Sequence, residues 1–240
     1  MRTLLITGGM VAALAAFASV GDAGKNKLPD NVPPTGFTAL FNGKDLKGWQ
    51  GAIDVRQRQK ISGEALEKAQ KAADDKTLSH WTVEDGVLTN DGKGGNLATV
   101  GDYTDFELHC DWKIEPLGDS GIYLRGVPQV QIWDSAVLKG GLAADKDKGS
   151  GGMWNNPKGS KGKEPIKNAD KAPGEWNRFR IIMKGEDVTV YHNGELVVDK
   201  APLTAYKPLP EKGAIELQQH PKQDGSYGKI QFKNIYIKTF

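Results

Sequence analysis

The sequence predicts an all-β protein, a sandwich or jelly roll of two antiparallel sheets, on three observations. Eleven short runs alternate apolar and polar residues with a period of two. They are separated by Gly, Asn, Asp and Pro rather than by long helices, which argues against parallel βαβ architecture. Asn193-Gly194, between two of the runs, suits the type I′ hairpin turn, in which both residues take φ > 0. Composition agrees: with 38% hydrophobic and 26% charged residues in 240, the chain can bury a core and is not a disordered polymer. Its 32 basic and 30 acidic residues leave a charge of +2, so a nucleic-acid or anionic-membrane partner has no electrostatic basis.

In chain order, Met1 to Ala23 reads as an export signal: Arg2, an apolar run from Leu4 to Val20, then small residues with cleavage after Ala18 or Ala23. The expected location is periplasmic or extracellular, with no membrane association after removal. The alternative, an uncleaved anchor, needs a run of ~17 residues to span a bilayer, the lower limit for a helix. Residues 24–34, with Pro29, Pro33 and Pro34, read as a linker, and 35–240 as one domain.

The expected strands are 37–41, 81–89 broken at Asp85-Gly86, 96–100, 105–114, 121–125, 129–134, 176–183, 187–192, 195–199, 213–220 and 229–238. Ala65, Leu66, Ala69 and Ala73 fall on one stripe and predict a surface helix over Ser62–Lys76. Lys139 to Pro173 is a loop rich in Gly, Lys, Asp and Asn, of a length that is usually functional or disordered. Cys110, the only cysteine, alternates with the apolar face of its strand, so it is expected as a small buried hydrophobe in a fold without disulfides.

No His-Glu-x-x-His, phosphate-cradling glycine loop or Gly-x-Ser-x-Gly elbow is present, and the paired-carboxylate strand Glu-x-Asp-x-x-Glu is missing. What remains is a set of amides, rings and charges on alternate strand positions. Glu216, Gln218 and His220 share one face opposite Ile215 and Leu217; Tyr123 and Arg125 oppose Ile122 and Leu124; Gln129, Gln131 and Trp133 oppose Val130 and Ile132. Each set has a plain reading as a solvated sheet face. Together they suit a sugar, with planar groups for hydroxyls and rings for C–H faces. Glu107 and His109 share the polar face of another strand and are secondary candidates.

Several motifs resemble a known family: Phe37-Thr-Ala-Leu-Phe-Asn-Gly-Lys-Asp-Leu-Lys-Gly-Trp49, Trp81-Thr-Val-Glu-Asp-Gly-Val-Leu88, Ser120-Gly-Ile-Tyr-Leu-Arg-Gly126, Val130-Gln-Ile-Trp-Asp134, the Asn168 to Asn177 segment and Gly213-Ala-Ile-Glu-Leu-Gln-Gln-His220. In this order, over about residues 35 to 240, they resemble the bacterial 3-keto-disaccharide hydrolases. The resemblance implies a concanavalin A-like jelly roll and a saccharide substrate, a 3-keto-glycoside cleaved by hydrolysis or by β-elimination followed by hydration. Two departures stand out: Gln129 where members often carry Glu, and the helix near Lys60, which looks like an insertion.

A ketone at C3 acidifies the C2 proton, so a site of this kind needs a base, a donor for the O3 enolate and an acid for the leaving oxygen. His220 is the expected base and Arg125 the expected enolate or substrate clamp. Gln131, Tyr123, Trp133, Trp154, Gln218, Glu107 and His109 are the expected substrate contacts, with Trp154 as lid or stacking platform. Asp134 and Glu216 are candidate ligands for a divalent cation; Asp134, which alternation places with Val130 and Ile132, needs a strand end or bulge to join the site. The rival reading is a noncatalytic carbohydrate-binding module, since jelly rolls serve both roles.

Overall fold

The computed structural model describes residues 29–137, 148–203 and 208–240. The leader read at 1–23 lies outside the described residues, as do 24–28 of the linker and 139–147 of the long loop. Among the described residues no helix is long and apolar enough to cross a membrane.

The two antiparallel sheets of the expected jelly roll are present. The larger has eight strands: β1 (Thr38–Ala39), β3 (Trp81–Glu84), β4 (Val87–Asn90), β6 (Phe106–Ile114), β9 (Asn177–Lys184), β10 (Asp187–His192), β11 (Glu195–Pro202) and β13 (Ile230–Thr239). The smaller runs β2–β5–β12–β7–β8, with β2 at Trp49–Gly51, β5 at Leu97–Thr99, β7 at Asp119–Tyr123, β8 at Gln129–Trp133 and β12 at Glu216–Leu217. Both tight turns have the left-handed residues a type I′ hairpin requires: Asp85 and Gly86 at φ 50 and 75, Asn193 and Gly194 at φ 50 and 89.

Between the sheets, Phe106, Leu108, Cys110 and Trp112 of β6 meet Ile122 of β7 and Val130 and Ile132 of β8 in one fully buried cluster. Burying each large apolar side chain contributes roughly 1.5–3 kcal/mol, so this layer is the main support of the fold. Cys110 is wholly inside it, as expected, and burial pushes its thiol well above the ordinary range.

Several elements differ from the sequence reading: β2 at Trp49–Gly51 is a strand the alternation does not predict, and the strand expected at 37–41 is only Thr38–Ala39. The strand expected at 121–125 is shifted to 119–123, because Arg125 takes φ +52 and turns the chain before it can alternate further. The strand expected at 213–220 is reduced to Glu216–Leu217. The 24–34 segment is not all linker: Asn31 and Asn234 exchange backbone-to-side-chain bonds at 2.7 and 3.0 Å, and Lys233 pairs with Asp30 at 2.6 Å. Asn234, at φ 54, sits at a register shift in β13 between Lys233 and Tyr236, and the segment docks on this irregularity.

The segment between β2 and β3 carries the helix expected over Ser62–Lys76 and a second, shorter one before it. It holds α1 (Val55–Arg58), with Asp54 capping it through the Arg56 amide, and α2 (Gly63–Thr77). α2 covers the edge of β2: the Gly51 amide donates to Asp74 Oδ1 at 2.7 Å and Gln70 Nε2 donates to the Gly51 carbonyl at 2.8 Å. A strand edge that would otherwise be open to a second chain is thereby closed. A Cβ on Gly51 would fall 2.3 Å from the Ala73 carbonyl oxygen, so only glycine admits the helix this close. The long loop returns along β8, where Gln131 exchanges backbone bonds with Gly151 and Gly152, and buries Met153 in the core.

Candidate active site

The outward face of the smaller sheet carries the polar residues that alternation assigned to it. β12 pairs Glu216 with Tyr123 of β7 and with Ala98 of β5, and β8 pairs Gln129 with Tyr123, Gln131 with Gly121 and Trp133 with Asp119. Glu216, Tyr123 and Gln129 therefore form one row across the strands. The Gln218 amide bonds to the Gly121 carbonyl, which places Gln218 in the next row with Gly121 and Gln131.

A connected set of amides fixes the middle of this face. Gln129 Nε2 donates to Gln218 Oε1 at 2.7 Å and to Gln131 Oε1 at 3.0 Å, and Gln131 Nε2 donates to Asp119 Oδ1 at 2.8 Å. Gln129 Nε2 is also 3.3 Å from the Ser120 carbonyl, an acceptor that no carboxylate would satisfy. That contact accounts for a Gln at position 129 in this chain. Gly121 leaves the space Gln129 occupies, since a Cβ there would approach its Nε2 to 2.3 Å.

Asp119 passes the order of the amides to His220. Its Oδ2 lies 3.6 Å from His220 Nδ1, which is also 2.8 Å from the Pro221 carbonyl. The Pro221 carbonyl accepts from Nδ1, which places the proton there and leaves Nε2 with its lone pair; the Asp119 carboxylate lies nearby without a hydrogen bond. Burial raises the Asp119 carboxyl above its ordinary range, opposed by the His220 charge and the Gln131 bond. Asp119 lies outside the strand the alternation predicts, which begins at Gly121; the i, i+2, i+4 spacing of Asp119, Gly121 and Tyr123 is the signal that places it on the same face.

Glu216 is the other perturbed group. It is 7% exposed, and burial pushes its pKa up to about 7, with the Asn96 amide at 3.3 Å opposing and Asp54 reinforcing the shift. Near neutrality it holds a proton for part of the time, which suits a donor to a leaving oxygen. Gln218 Nε2 donates to the Tyr123 hydroxyl at 3.3 Å between these two ends of the face.

Other expected site residues lie elsewhere. Arg125 is buried, donating from Nε to the Thr104 carbonyl at 2.7 Å and from Nη2 to Asp105 Oδ1 at 2.9 Å; it braces loops rather than presenting a free clamp. Glu107 and His109 bond each other at 2.9 Å on the larger sheet, with Arg180 on Glu107 at 2.6 Å and the Phe37 ring over His109. They occupy the opposite outer surface of the sandwich, because β6 belongs to that sheet. Asp134 accepts the Leu117 amide at 3.0 Å and lies within electrostatic reach of Asp170. No bulge carries it to Glu216, so the two candidate cation ligands stay apart. Among the described residues no three His, Cys, Asp or Glu side chains form a cation site, and no catalytic step is assigned to a cation. Trp133 is 6% exposed, its indole nitrogen bonded to the Gly149 carbonyl and its ring met edge-on by Trp154. Lys163 covers Trp154 at 4.1 Å, so the two rings form a braced side wall and not an open stacking platform.

Arg125→Ala is therefore expected to cost stability, about 2–4 kcal/mol, with turnover per folded molecule changed less than about threefold. Denaturant unfolding and rates normalised to folded protein check this; an unchanged midpoint with a large loss of rate would return Arg125 to the chemistry.

The two-sheet jelly roll is the fold of glycosyl-hydrolase-like β-sandwiches. Residues 36–238 match the 3-keto-alpha-glucoside-1,2-lyase-like domain, and the chain belongs to that family. It is 23% identical over 218 residues to a 3-keto-disaccharide hydrolase of Bacteroides thetaiotaomicron, covering 78% of this chain and 66% of that protein, so it spans just under two thirds of the relative's length. Two solved structures of candidate glycosyl hydrolases from Parabacteroides distasonis share the fold. One has a TM-score of 0.58 at 23% identity, covering 88% of this chain and all of the other; the second has a TM-score of 0.55 at 27% identity, covering 90% and 95%.

Proposed function

We propose that the chain is an exported enzyme that cleaves 3-keto-glycosides by β-elimination followed by hydration on the outer face of the smaller sheet. One observation carries the reading: His220 turns Nδ1 toward Asp119 and Pro221, which leaves Nε2 as the base at the open end of a polar sheet face. His220 Nε2 takes the C2 proton, and the electrons move into the C3 ketone as an enolate. Gln218 and Tyr123 supply neutral donors near O3. Collapse of the enolate expels the C1 oxygen, which takes the proton of Glu216. Water then adds at C1 and a proton returns to C2, so the net change is hydrolysis. The 23% identical hydrolase and the family match support this chemistry. The Arg2, apolar-run and small-residue order supports export, and N-terminal sequencing of the exported protein starting at Met1 would refute it.

In D₂O, deuterium is expected at C2 of the 3-keto product above the level of spontaneous enolisation, and the ordinary glucoside, lacking the ketone, is expected to bind without reacting. A product with no C2 label would rule out elimination and point to direct displacement. Binding with no turnover of any 3-keto-glycoside would leave the noncatalytic carbohydrate-binding module.

A further inference from the structure

Besides the two clefts that meet at Glu216 across Gly126, a pocket of about 160 Å³ opens on the outer face of the larger sheet. Pro29, Val32 and Pro34 form its apolar side, and His109, Arg178, Asn234 and Tyr236 its polar side. The 29–34 segment makes one wall because Asn31 docks on Asn234 at the irregularity in β13. Asn234 and Tyr236 are spent within the wall. Tyr236 Oη donates to Asn234 Oδ1 at 2.8 Å, and Asn234 Nδ2 donates to Asp111 Oδ2 at 2.7 Å and to Asp30 Oδ1 at 3.1 Å. The other two polar groups keep capacity. Arg178 gives Nε and Nη2 to Asp111 and has no partner at Nη1 among the described residues. His109 has the Glu107 carboxylate 2.9 Å from Nε2, which places the proton there and leaves Nδ1 with its lone pair and no partner among the described residues. The Phe37 ring, its centroid 4.6 Å from that of the imidazole, holds His109 in this orientation.

We propose that this pocket binds one ring of a neutral saccharide, as a second saccharide site on the opposite side of the sandwich from Glu216. The argument is one of complementarity. An unspent donor on Arg178 and an unspent acceptor on His109, in one pocket, suit a hydroxyl, which accepts from the first and donates to the second. A carboxylate would meet the His109 lone pair, and the Arg178 charge is already matched by Asp111. An ammonium would meet the guanidinium and be repelled. The C–H surface of a pyranose belongs against Pro29, Val32 and Pro34. An enclosed space of about 150 Å³ accepts a benzene ring, so this pocket takes one sugar ring and leaves its outer substituents in solvent. None of these residues takes part in the reaction proposed above, so the site does not rest on it. Sites on opposite faces let one chain hold two saccharides, or two parts of a long one, at once.

The test follows the imidazole nitrogen signals of the full chain by NMR during titration with methyl glucoside, methyl galactoside and methyl mannoside. With 4 histidines in the chain the spectrum is simple, and His109→Phe, which keeps a ring against Phe37, assigns the His109 signals by their loss. At least one glycoside is expected to move the His109 signals in a saturable way. Val32→Trp, which fills the apolar side from an exposed position, is expected to weaken that response about tenfold or more, the scale of a blocked pocket contact. The signals of His192, buried in the core, report that the fold is kept in each variant. His109 signals that no glycoside moves, or a response that Val32→Trp leaves intact, would overturn the site. Acetate moving them more strongly than any glycoside would overturn it as well, since the pocket would then be an anion site. A native chain that turns over no 3-keto-glycoside but keeps the His109 response would remove the proposed reaction and leave this site standing.

Discussion

His220→Ala is expected to lower turnover of a 3-keto-glycoside by at least roughly a hundredfold, the lower range for loss of a general base, with the unfolding midpoint unchanged. The imidazole is half-exposed at the end of the sheet face and makes no core contact, so its removal costs the fold little. Asp119→Asn separates the parts of the dyad. It keeps the shape and the bond to Gln131 but removes the charge facing Nδ1, so a smaller loss, about tenfold, is expected in kcat with KM held. Steady-state rates on folded variants decide the matter. Full activity in His220→Ala would remove His220 from the mechanism, and full activity in Asp119→Asn would remove the orienting role.

Glu216→Gln is expected to abolish the alkaline limb of the rate profile and to lower kcat by about a hundredfold or more for a poor leaving group. A group acting as acid with a pKa of about 7 loses its proton above that pH, so the rate in the native chain should fall through neutrality as pH rises. The charged groups that share a cleft with Glu216 are Asp54 at the start of α1, Arg56 and Arg58 within it, Lys76 at the end of α2, and Asp102, Arg125 and Lys212 from neighbouring loops. The same carboxyl makes a stability prediction of definite sign. Its folded pKa, about 7, lies above the unfolded value near 4.5, so the folded state binds more protons between these limits. The native form is favoured fully below about pH 4.5 and loses on the order of 3 kcal/mol from this group as pH rises through about 7. Glu216→Gln should flatten that slope in denaturant unfolding from pH 5 to 8, and a variant with the native slope would show that Glu216 is ionised in the fold.

Period-two alternation made the sheets legible because each strand buries one face, and that pattern is written residue by residue. It placed Cys110 in the core and put Glu216, Gln218, Tyr123, Gln129 and Gln131 on one outer face. It failed where the chain leaves the regular pleat. Arg125 follows the alternation on paper, but φ +52 turns it under the sheet edge, a feature set by the Thr104, Asp105 and Pro210 contacts around it. Glu107 and His109 have the same local signature as the site residues, and only sheet membership, a long-range property, separates them. The clefts were out of reach for the same reason: Val55 and Glu216 are distant in sequence, and they come together only across Gly126, which lies against both.

Cys110 gives the protein an internal clock. Its sulfur is wholly enclosed between the sheets, and its thiolate is disfavoured there by burial, so a thiol reagent reacts only after the two layers have parted. With no second cysteine in the chain, no disulfide can form within it or reshuffle during that opening. At high reagent concentration, the rate of Cys110 labelling equals the rate at which the sandwich opens. That rate can be followed in any of the variants above without adding a probe.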